Sequence, residues 1–209
     1  MYDNNRHNRI RLLIRKLNKE RKKQAEKIDI LCKDLIGAQR NFIKRLKIIN
    51  FKANFYESII GTTDQDKLLK TAVEMIREEI PKANVIFFLH QTETYEPHFY
   101  DSPQSILLEK QSFEKSFTPE LIDNICSSNE ICRLEDMFAM GLNVNPKYFG
   151  KISAITIPMN SPETPLGIIF IYRSIDNKIS NYEISNISVI ARGLSRAISS
   201  CQALLHSSD

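Results

Sequence analysis

The chain has 209 residues, 42% of them apolar and 26% charged, with a formal net charge of +4. That length accommodates one long helix and one domain of about 150 residues built on a single core. No apolar run reaches the ~20 residues that cross a bilayer, and the first residues lack the apolar stretch of a secretory signal. We therefore expect a cytoplasmic protein without membrane insertion.

The charge is distributed unevenly along the chain. Residues 1–50 contain fifteen Lys and Arg against five Asp and Glu, a net charge of +10, and the remaining residues contain fourteen against twenty, a net charge of −6. A basic segment joined to an acidic domain suits nucleic acid, an acidic partner or an anionic membrane, and it equally suits the solvated exterior of a long helix. We favour the solvated exterior and keep nucleic-acid binding as the alternative.

The four cysteines are Cys32, Cys126, Cys132 and Cys201. Five residues separate Cys126 from Cys132, and no histidine follows at the spacing of a zinc ligand, so we predict no metal site. In a reducing compartment these side chains are most simply buried or unreactive thiols.

A seam of positions spaced alternately by four and three residues runs from Ile10 to Ile49, and nine of its twelve positions are apolar. The positions are Ile10, Ile14, Leu17, Arg21, Gln24, Ile28, Leu31, Leu35, Ala38, Phe42, Arg45 and Ile49. A stripe that repeats every 3.5 residues needs a second helix, because one helix cannot bury its own stripe. We predict that residues 1–50 form a basic coiled-coil helix that joins two copies of the chain.

Caps and apolar runs predict the next elements. Residues 61–64 interrupt the first helix, and Thr63 or Asp64 can cap a second helix. Pro81 ends that second helix. The run Asn84–His90 is rich in β-branched and aromatic residues, which indicates a strand buried on both faces.

The middle of the chain, residues 102–150, is its least regular part and follows a second predicted strand at residues 96–101. Pro119 suits the first position of a helix. A short strand at residues 131–134 and a helical turn at residues 136–142 complete the predicted middle segment.

A hairpin and a closing helix end the chain. Residues 151–159 and 166–173 are apolar runs joined by a segment rich in turn residues, which is typical of a hairpin. The helix predicted over residues 181–205 has apolar residues three and four apart, so both terminal helices carry a stripe that favours a dimer. The predicted dimer interface consists of Ile28, Leu31, Leu35, Ala38, Phe42, Ile49, Ile187, Ala191, Leu194 and Ile198.

The hairpin and the closing helix resemble those of the GAF family. The matching segments are Ile155-Thr-Ile-Pro-Met159, Pro165-Leu-Gly-Ile-Ile-Phe-Ile171 and, in the closing helix, Ile190-Ala191, Leu194 and Ala197-Ile198. The resemblance covers residues 51–205 and leaves residues 206–209 as a tail. It implies an α+β fold in which a long N-terminal coiled-coil helix precedes an antiparallel sheet flanked by helices.

The same resemblance implies a sensory or regulatory module with a small-molecule pocket on one face of the sheet and with terminal helices that join a dimer bundle. The Asn-Lys…Phe…Asp-Glu arrangement of the cyclic-nucleotide members is missing, and neither Cys126 nor Cys132 adjoins a histidine as in the bilin-binding members. No histidine stands in a context that suggests a haem ligand. The cofactor is therefore unknown.

If the domain has a pocket, the middle segment and the strands facing it should line it. Aromatic and methionine side chains with a few polar ends suit a small apolar or aromatic ligand, and they equally suit an ordinary filled core. The predicted lining residues are His98, Tyr100, Phe113, Met137, Phe138, Met140 and Tyr148.

No motif predicts catalysis. The six glycines form no phosphate-binding loop and no dinucleotide fingerprint, and no Gly-x-Ser-x-Gly elbow occurs. We therefore predict a non-enzymatic, homodimeric regulator that binds an unknown small ligand or protein partner and signals through its terminal helices, with a separate output protein as a candidate partner. A scaffold or nucleic-acid-associated protein acting through the basic helix is the alternative. An enzyme such as a sulfoxide reductase comes third, since it would need Cys126 or Cys132 in the pocket.

Overall fold

The computed structural model describes residues 2–91, 94–103, 113, 115–144, 149–160 and 165–206. The helices are α1 (Tyr2–Ile59), α2 (Gln65–Glu79), α3 (Pro119–Ser128), α4 (Leu134–Ala139) and α5 (Asn181–His206), and the strands are β1 (Asn84–Gln91), β2 (Thr94–Tyr100), β3 (Cys132–Arg133), β4 (Ile152–Asn160) and β5 (Pro165–Ser174). None of the helices within these described ranges is both long enough and apolar enough to cross a membrane.

The chain divides into two units, residues 1–49 and residues 50–209. The first unit is a single helical segment, which forms because residues 1–49 contain no proline and only one glycine. From His7 to Ile49 every side chain is exposed except for the half-buried Gly37 and Ile48. The predicted seam of this unit is therefore open to solvent along its whole described length.

The second unit is built on a five-stranded antiparallel sheet with the strand order β2-β1-β5-β4-β3. Its centre is the pair β1 and β5, in which Val85 lies opposite Ile171 and Phe87 lies opposite Ile169. The first six residues of β1 are all buried, which confirms the prediction of a strand covered on both faces. The predicted hairpin is confirmed as β4 and β5.

Two separate apolar cores lie on the two faces of this sheet. The helical core contains buried residues from the end of α1, from α2 and from α5, packed on one set of alternating strand positions. The middle core contains α3, α4 and neighbouring segments, packed on the other set. The structure thus confirms that terminal helices cover one face of the sheet and that the irregular middle of the chain covers the other.

The apolar stripe of α5 packs inside its own domain, which corrects the four α5 positions of the ten-residue predicted dimer interface. Ile187, Leu194 and Ile198 are fully buried in the helical core, and Ala191 is 7% exposed. The stripe is helical, as its spacing predicts, but the surface that covers it is the sheet and α2 of the same domain. A stripe of i, i+3 and i+4 spacing shows that a helix is covered without showing by what.

Side chains cap the starts of the shorter helices. Asp64 is one of the two caps predicted for α2, whereas α4 begins at Leu134, two residues before the helical turn predicted at residues 136–142. The Asp64 carboxylate accepts hydrogen bonds from the backbone N–H groups of Asp66 and Lys67 at the start of α2. Thr118 caps α3 by accepting from Leu121. Asp136 accepts from the backbone N–H of Arg133, so this carboxylate stabilises the start of α4 from inside its first turn.

Within the second unit, the ring of Tyr56 covers Gly193 of α5. A Cβ atom on Gly193 would lie 2.0 Å from Cε1 of Tyr56. We expect Gly193→Ala to lower the free energy of unfolding by about 1–3 kcal/mol, the range typical of overpacking, since the ring must move. Denaturant unfolding of this variant, of Tyr56→Ala and of the double variant measures the effect. If the clash is the cause, the double variant loses less stability than the sum of the two single changes.

Candidate functional site

Six of the seven residues predicted to line a pocket are described by the structure, and these six do not come together around one site. Phe113 and Met137 are buried in the middle core, where Met140 also packs. Phe138 is 42% exposed, and Tyr148 lies outside the described residues.

His98 and Tyr100 lie on the opposite face of the sheet, which corrects their predicted place. In the register of β1 with β2, His98 pairs with Phe87 and Tyr100 with Val85. Both of these β1 residues belong to the helical core, and paired residues of neighbouring strands point to the same face. The Tyr100 ring meets that of Phe87 edge to face, with centroids 5.9 Å apart.

The middle face of the sheet is filled by stacked aromatic side chains. Phe113 stacks on Phe117 with centroids 4.8 Å apart and meets Phe170 edge to face at 4.9 Å. The other rings of this cluster are Phe88, Phe149 and Tyr172. All six are buried, so these rings act as core packing.

The candidate site is a groove of about 550 Å³ on the helical side of the second unit. It runs between α5, the end of β4 and the segment that joins α3 to β3. The described residues lining it are Asn129, Ile131, Ile157, Pro158, Asn160, Ser188, Ala191, Arg192, Ser195 and Arg196. We call this set the β4–α5 groove.

Sheet topology explains why the groove is open. The two residues of β3 pair only with Ile155 and Thr156 of β4. Beyond Thr156 no other described strand pairs with that edge of β4, and the groove follows this uncovered stretch. Asn160 fixes its end, since Nδ2 donates to the carbonyl of Cys126 and to Oδ1 of Asn129, each at 3.0 Å.

The charged side chains among the described lining residues of the groove are both positive. Arg192 and Arg196 are exposed, one turn apart on α5, and neither guanidinium pairs with a carboxylate in the described part of the chain. Ser188 and Ser195 lie on the same side of the helix, and their hydroxyls donate to the carbonyls of Ser185 and Ala191. The hydrogen-bond donors left to a ligand are therefore mainly guanidinium groups.

No carboxylate, histidine or cysteine is among the described lining residues of the groove, so Ser188 and Ser195 have none of these side chains beside them in the lining to act as a general base. No cluster of three or more metal-binding side chains occurs among the residues that the structure describes.

Sequence reasoning missed this groove. The signal that could have found it is the spacing of Ser188, Arg192, Ser195 and Arg196, which puts four polar residues on one side of α5. The pattern alone is also that of any solvated helix face. Only the fold shows that this face borders an uncovered strand.

The cysteines considered for catalysis are shielded. Cys126 is 4% exposed and Cys132 is 2% exposed, and burial raises the pKa of Cys126 to about 12. The Cys126 thiol donates to the carbonyl of Gly167 at 3.3 Å. Neither thiol lines the β4–α5 groove.

We expect iodoacetamide at pH 8 to modify the folded protein at the exposed Cys32 and to leave Cys126 and Cys132 unmodified, because alkylation requires an accessible thiolate. Peptide mass spectrometry after a timed reaction measures the modified fraction, and the unfolded chain, in which all cysteines should react, is the control. Rapid modification of Cys126 in the folded state would support the enzyme hypothesis.

Comparison with solved structures identifies the fold of the second unit. The GAF domain of a GAF/HD domain protein from Geobacter sulfurreducens is 20% identical and superposes with a TM-score of 0.53, covering 69% of this chain and 98% of that one. The GAF domain of a phosphoenolpyruvate-protein phosphotransferase from Acinetobacter is 13% identical with a TM-score of 0.55, covering 77% and 98%. For the GAF domain of a sensor histidine kinase from Bacillus halodurans, the identity is 14%, the TM-score 0.50 and the coverage 68% and 99%.

No protein-family model matches the sequence, and no curated protein matches it. The similarity to solved structures is therefore one of fold. The chain consists of a long N-terminal helix followed by a GAF-like α+β domain, as the hairpin and closing-helix motifs predicted.

Proposed function

We propose that the protein is a non-enzymatic sensory or regulatory module that works as a homodimer. In this proposal α1 pairs with α1 of a second copy, and the GAF-like domain binds a small ligand or a protein partner. The observation that carries it is the seam of α1, where Leu31, Leu35 and Phe42 are 66%, 61% and 63% exposed. Leaving such a stripe in water forgoes the free energy of burying it, so a partner helix is expected.

The solved relatives support a role in signalling. Their names place the similar domains in a GAF/HD domain protein, a sensor histidine kinase and a phosphotransferase. The domain in this chain combines such a fold with a helix that suits dimerisation. A ligand would alter the helix pair only if it binds two arrangements of the dimer unequally.

The proposed route keeps the terminal helices as the path of the signal, as predicted from sequence, but α5 would act on α1 within one chain because the stripe of α5 is buried in its own domain. α5 carries both the arginines of the β4–α5 groove and Gly193, over which the ring of Tyr56 lies. Tyr56 belongs to the last turns of α1. We propose that a shift of α5 on ligand binding is passed to the end of α1 through this contact.

Native mass spectrometry of the full chain tests the proposal. We expect twice the subunit mass, and any co-purified small molecule would be detected in the same spectrum. A single-subunit mass at micromolar concentration would contradict the dimer and with it the signalling route.

One observation favours the alternative, a nucleic-acid-associated protein. The first unit is helical and carries fifteen Lys and Arg along an exposed helix. Binding of the full chain to duplex DNA whose logarithmic affinity falls steeply with the logarithm of salt concentration would support this function. Weak binding with a shallow slope would leave the regulatory module as the better account.

A further inference from the structure

We propose that the β4–α5 groove binds a small phosphomonoester. Arg192 and Arg196 would bind its phosphate, and the apolar side chains that line the groove would contact the rest of the molecule. This inference names the ligand class of the module proposed above. It depends on that proposal only for the signalling consequence, because the binding itself needs only the folded second unit.

Electrostatics favour an anion. Residues 51–209 carry a net charge of −6, yet the described lining of the groove holds two arginines and no carboxylate. Among the other arginines of this domain, Arg173 pairs with Glu183 at 2.9 Å, and Arg77 and Arg133 donate hydrogen bonds to carbonyl or amide oxygens of other segments. Arg192 and Arg196 have no such side-chain partner among the described residues, so an incoming anion would meet two uncompensated positive charges.

Geometry favours a phosphate over a single carboxylate. Side chains four residues apart on a helix lie next to each other, with Cβ atoms about 5–6 Å apart, so both guanidiniums can reach one group. A phosphomonoester offers three oxygens and nearly two negative charges, which two guanidinium forks can share, whereas one carboxylate is satisfied by one fork. Asn129 lines the same groove, and because its Oδ1 accepts from Asn160, its Nδ2 can donate a further bond.

The remaining lining residues favour a ligand with an apolar part. Ile131, Ile157, Pro158 and Ala191 form the apolar part of the wall beside the two arginines. A volume of about 550 Å³ falls within the range of ~300–1,000 Å³ typical of small-molecule pockets and exceeds the need of a bare phosphate ion.

Two macromolecular occupants fit less well. An extended peptide would add to the uncovered edge of β4, but Pro158 lacks the N–H that a ladder uses and is a residue with which proteins protect sheet edges. The N-terminal segment of a second copy carries a net charge of +10 and would be repelled by the arginines. A small anion meets neither obstacle.

Phenyl phosphate is the minimal probe of this class, because it joins a phosphate to an apolar ring. We would titrate the full chain with phenyl phosphate, inorganic phosphate, benzoate and phenol by isothermal titration calorimetry at low salt. Phenyl phosphate should bind at least tenfold more tightly than each of the other three. Inorganic phosphate lacks the ring, benzoate lacks the second negative charge, and phenol is uncharged.

The variant Arg192→Ala/Arg196→Ala should lower the affinity for phenyl phosphate at least tenfold. Both side chains are exposed, so its thermal unfolding should match that of the parent. The control variant Lys67→Ala/Lys70→Ala removes the same charge from exposed positions of α2 and should leave the affinity within twofold.

Three results would overturn the inference: no heat of binding up to millimolar phenyl phosphate, equal affinity for benzoate, or an equal loss in the Lys67→Ala/Lys70→Ala control. Inorganic phosphate binding as tightly as phenyl phosphate would overturn the apolar part of the site. The subunit mass measured on the same samples distinguishes the two proposals. A monomer that still binds phenyl phosphate would contradict the dimer but not the binding site.

Discussion

Gly167→Ala should lower the free energy of unfolding of the domain by more than about 4 kcal/mol. Gly167 has φ of +130°, and a Cβ atom there would lie 1.8 Å from the carbonyl oxygen of Phe88 and 2.9 Å from its carbonyl carbon. Both obstacles are backbone atoms of the central strand β1, so no rotation of a side chain can relieve the clash. Such a loss approaches the whole stability of a typical domain.

The measurement is thermal and denaturant unfolding of the purified variant, or its soluble yield if it does not fold. Gly61→Ala is the matched control, because Gly61 also has a positive φ, +76°, but a Cβ atom there would meet nothing within 4 Å. We expect the control to cost about 1–2 kcal/mol, the strain of the backbone conformation alone. Similar losses in both variants would show that strain, and not the approach of β1, makes glycine necessary at position 167.

The double variant Leu31→Asp/Leu35→Asp should convert the proposed dimer to single subunits. Both side chains are on the seam of α1 and exposed in the single chain, so the change should not harm the fold of the second unit. In a helix pair, however, it would bring four carboxylates together in an apolar seam, which is costly because charges lose their hydration there. Analytical ultracentrifugation at micromolar concentration measures the mass.

The control for this test is Ile30→Asp/Ile36→Asp, which replaces two exposed apolar side chains of the same helix outside the seam. It has the same change of charge and nearly the same loss of apolar surface, and it should remain dimeric. If this control also dissociates, the interface is wider than a two-helix seam. If the Leu31→Asp/Leu35→Asp variant keeps the parent mass, α1 is not the dimerisation element.

Sequence periodicity predicted the secondary structure well. The alternation of the chain between helical spacing and short apolar runs was sufficient to predict β1, the β4–β5 hairpin and the capped helices α2 and α3, because caps and burial patterns are local. The GAF-like fold also followed from the resemblance of residues 155–159 and 165–171 to the hairpin of that family. The sequence did not show why residue 167 must be glycine, because the close approach of β1 is a contact between residues distant in sequence.

What only the tertiary structure decided was which surface each stripe meets and which side of the sheet each residue faces. The apolar stripes of α1 and α5 are similar as patterns, yet that of α5 is buried in its own domain while the seam of α1 is exposed. His98 and Tyr100 were grouped with Phe113, although the strand register places them on opposite faces. The β4–α5 groove arises because β3 is too short to cover β4, which no local pattern of residues records. A sequence specifies that a side chain is to be covered, whereas the partner that covers it depends on contacts between segments far apart in the chain.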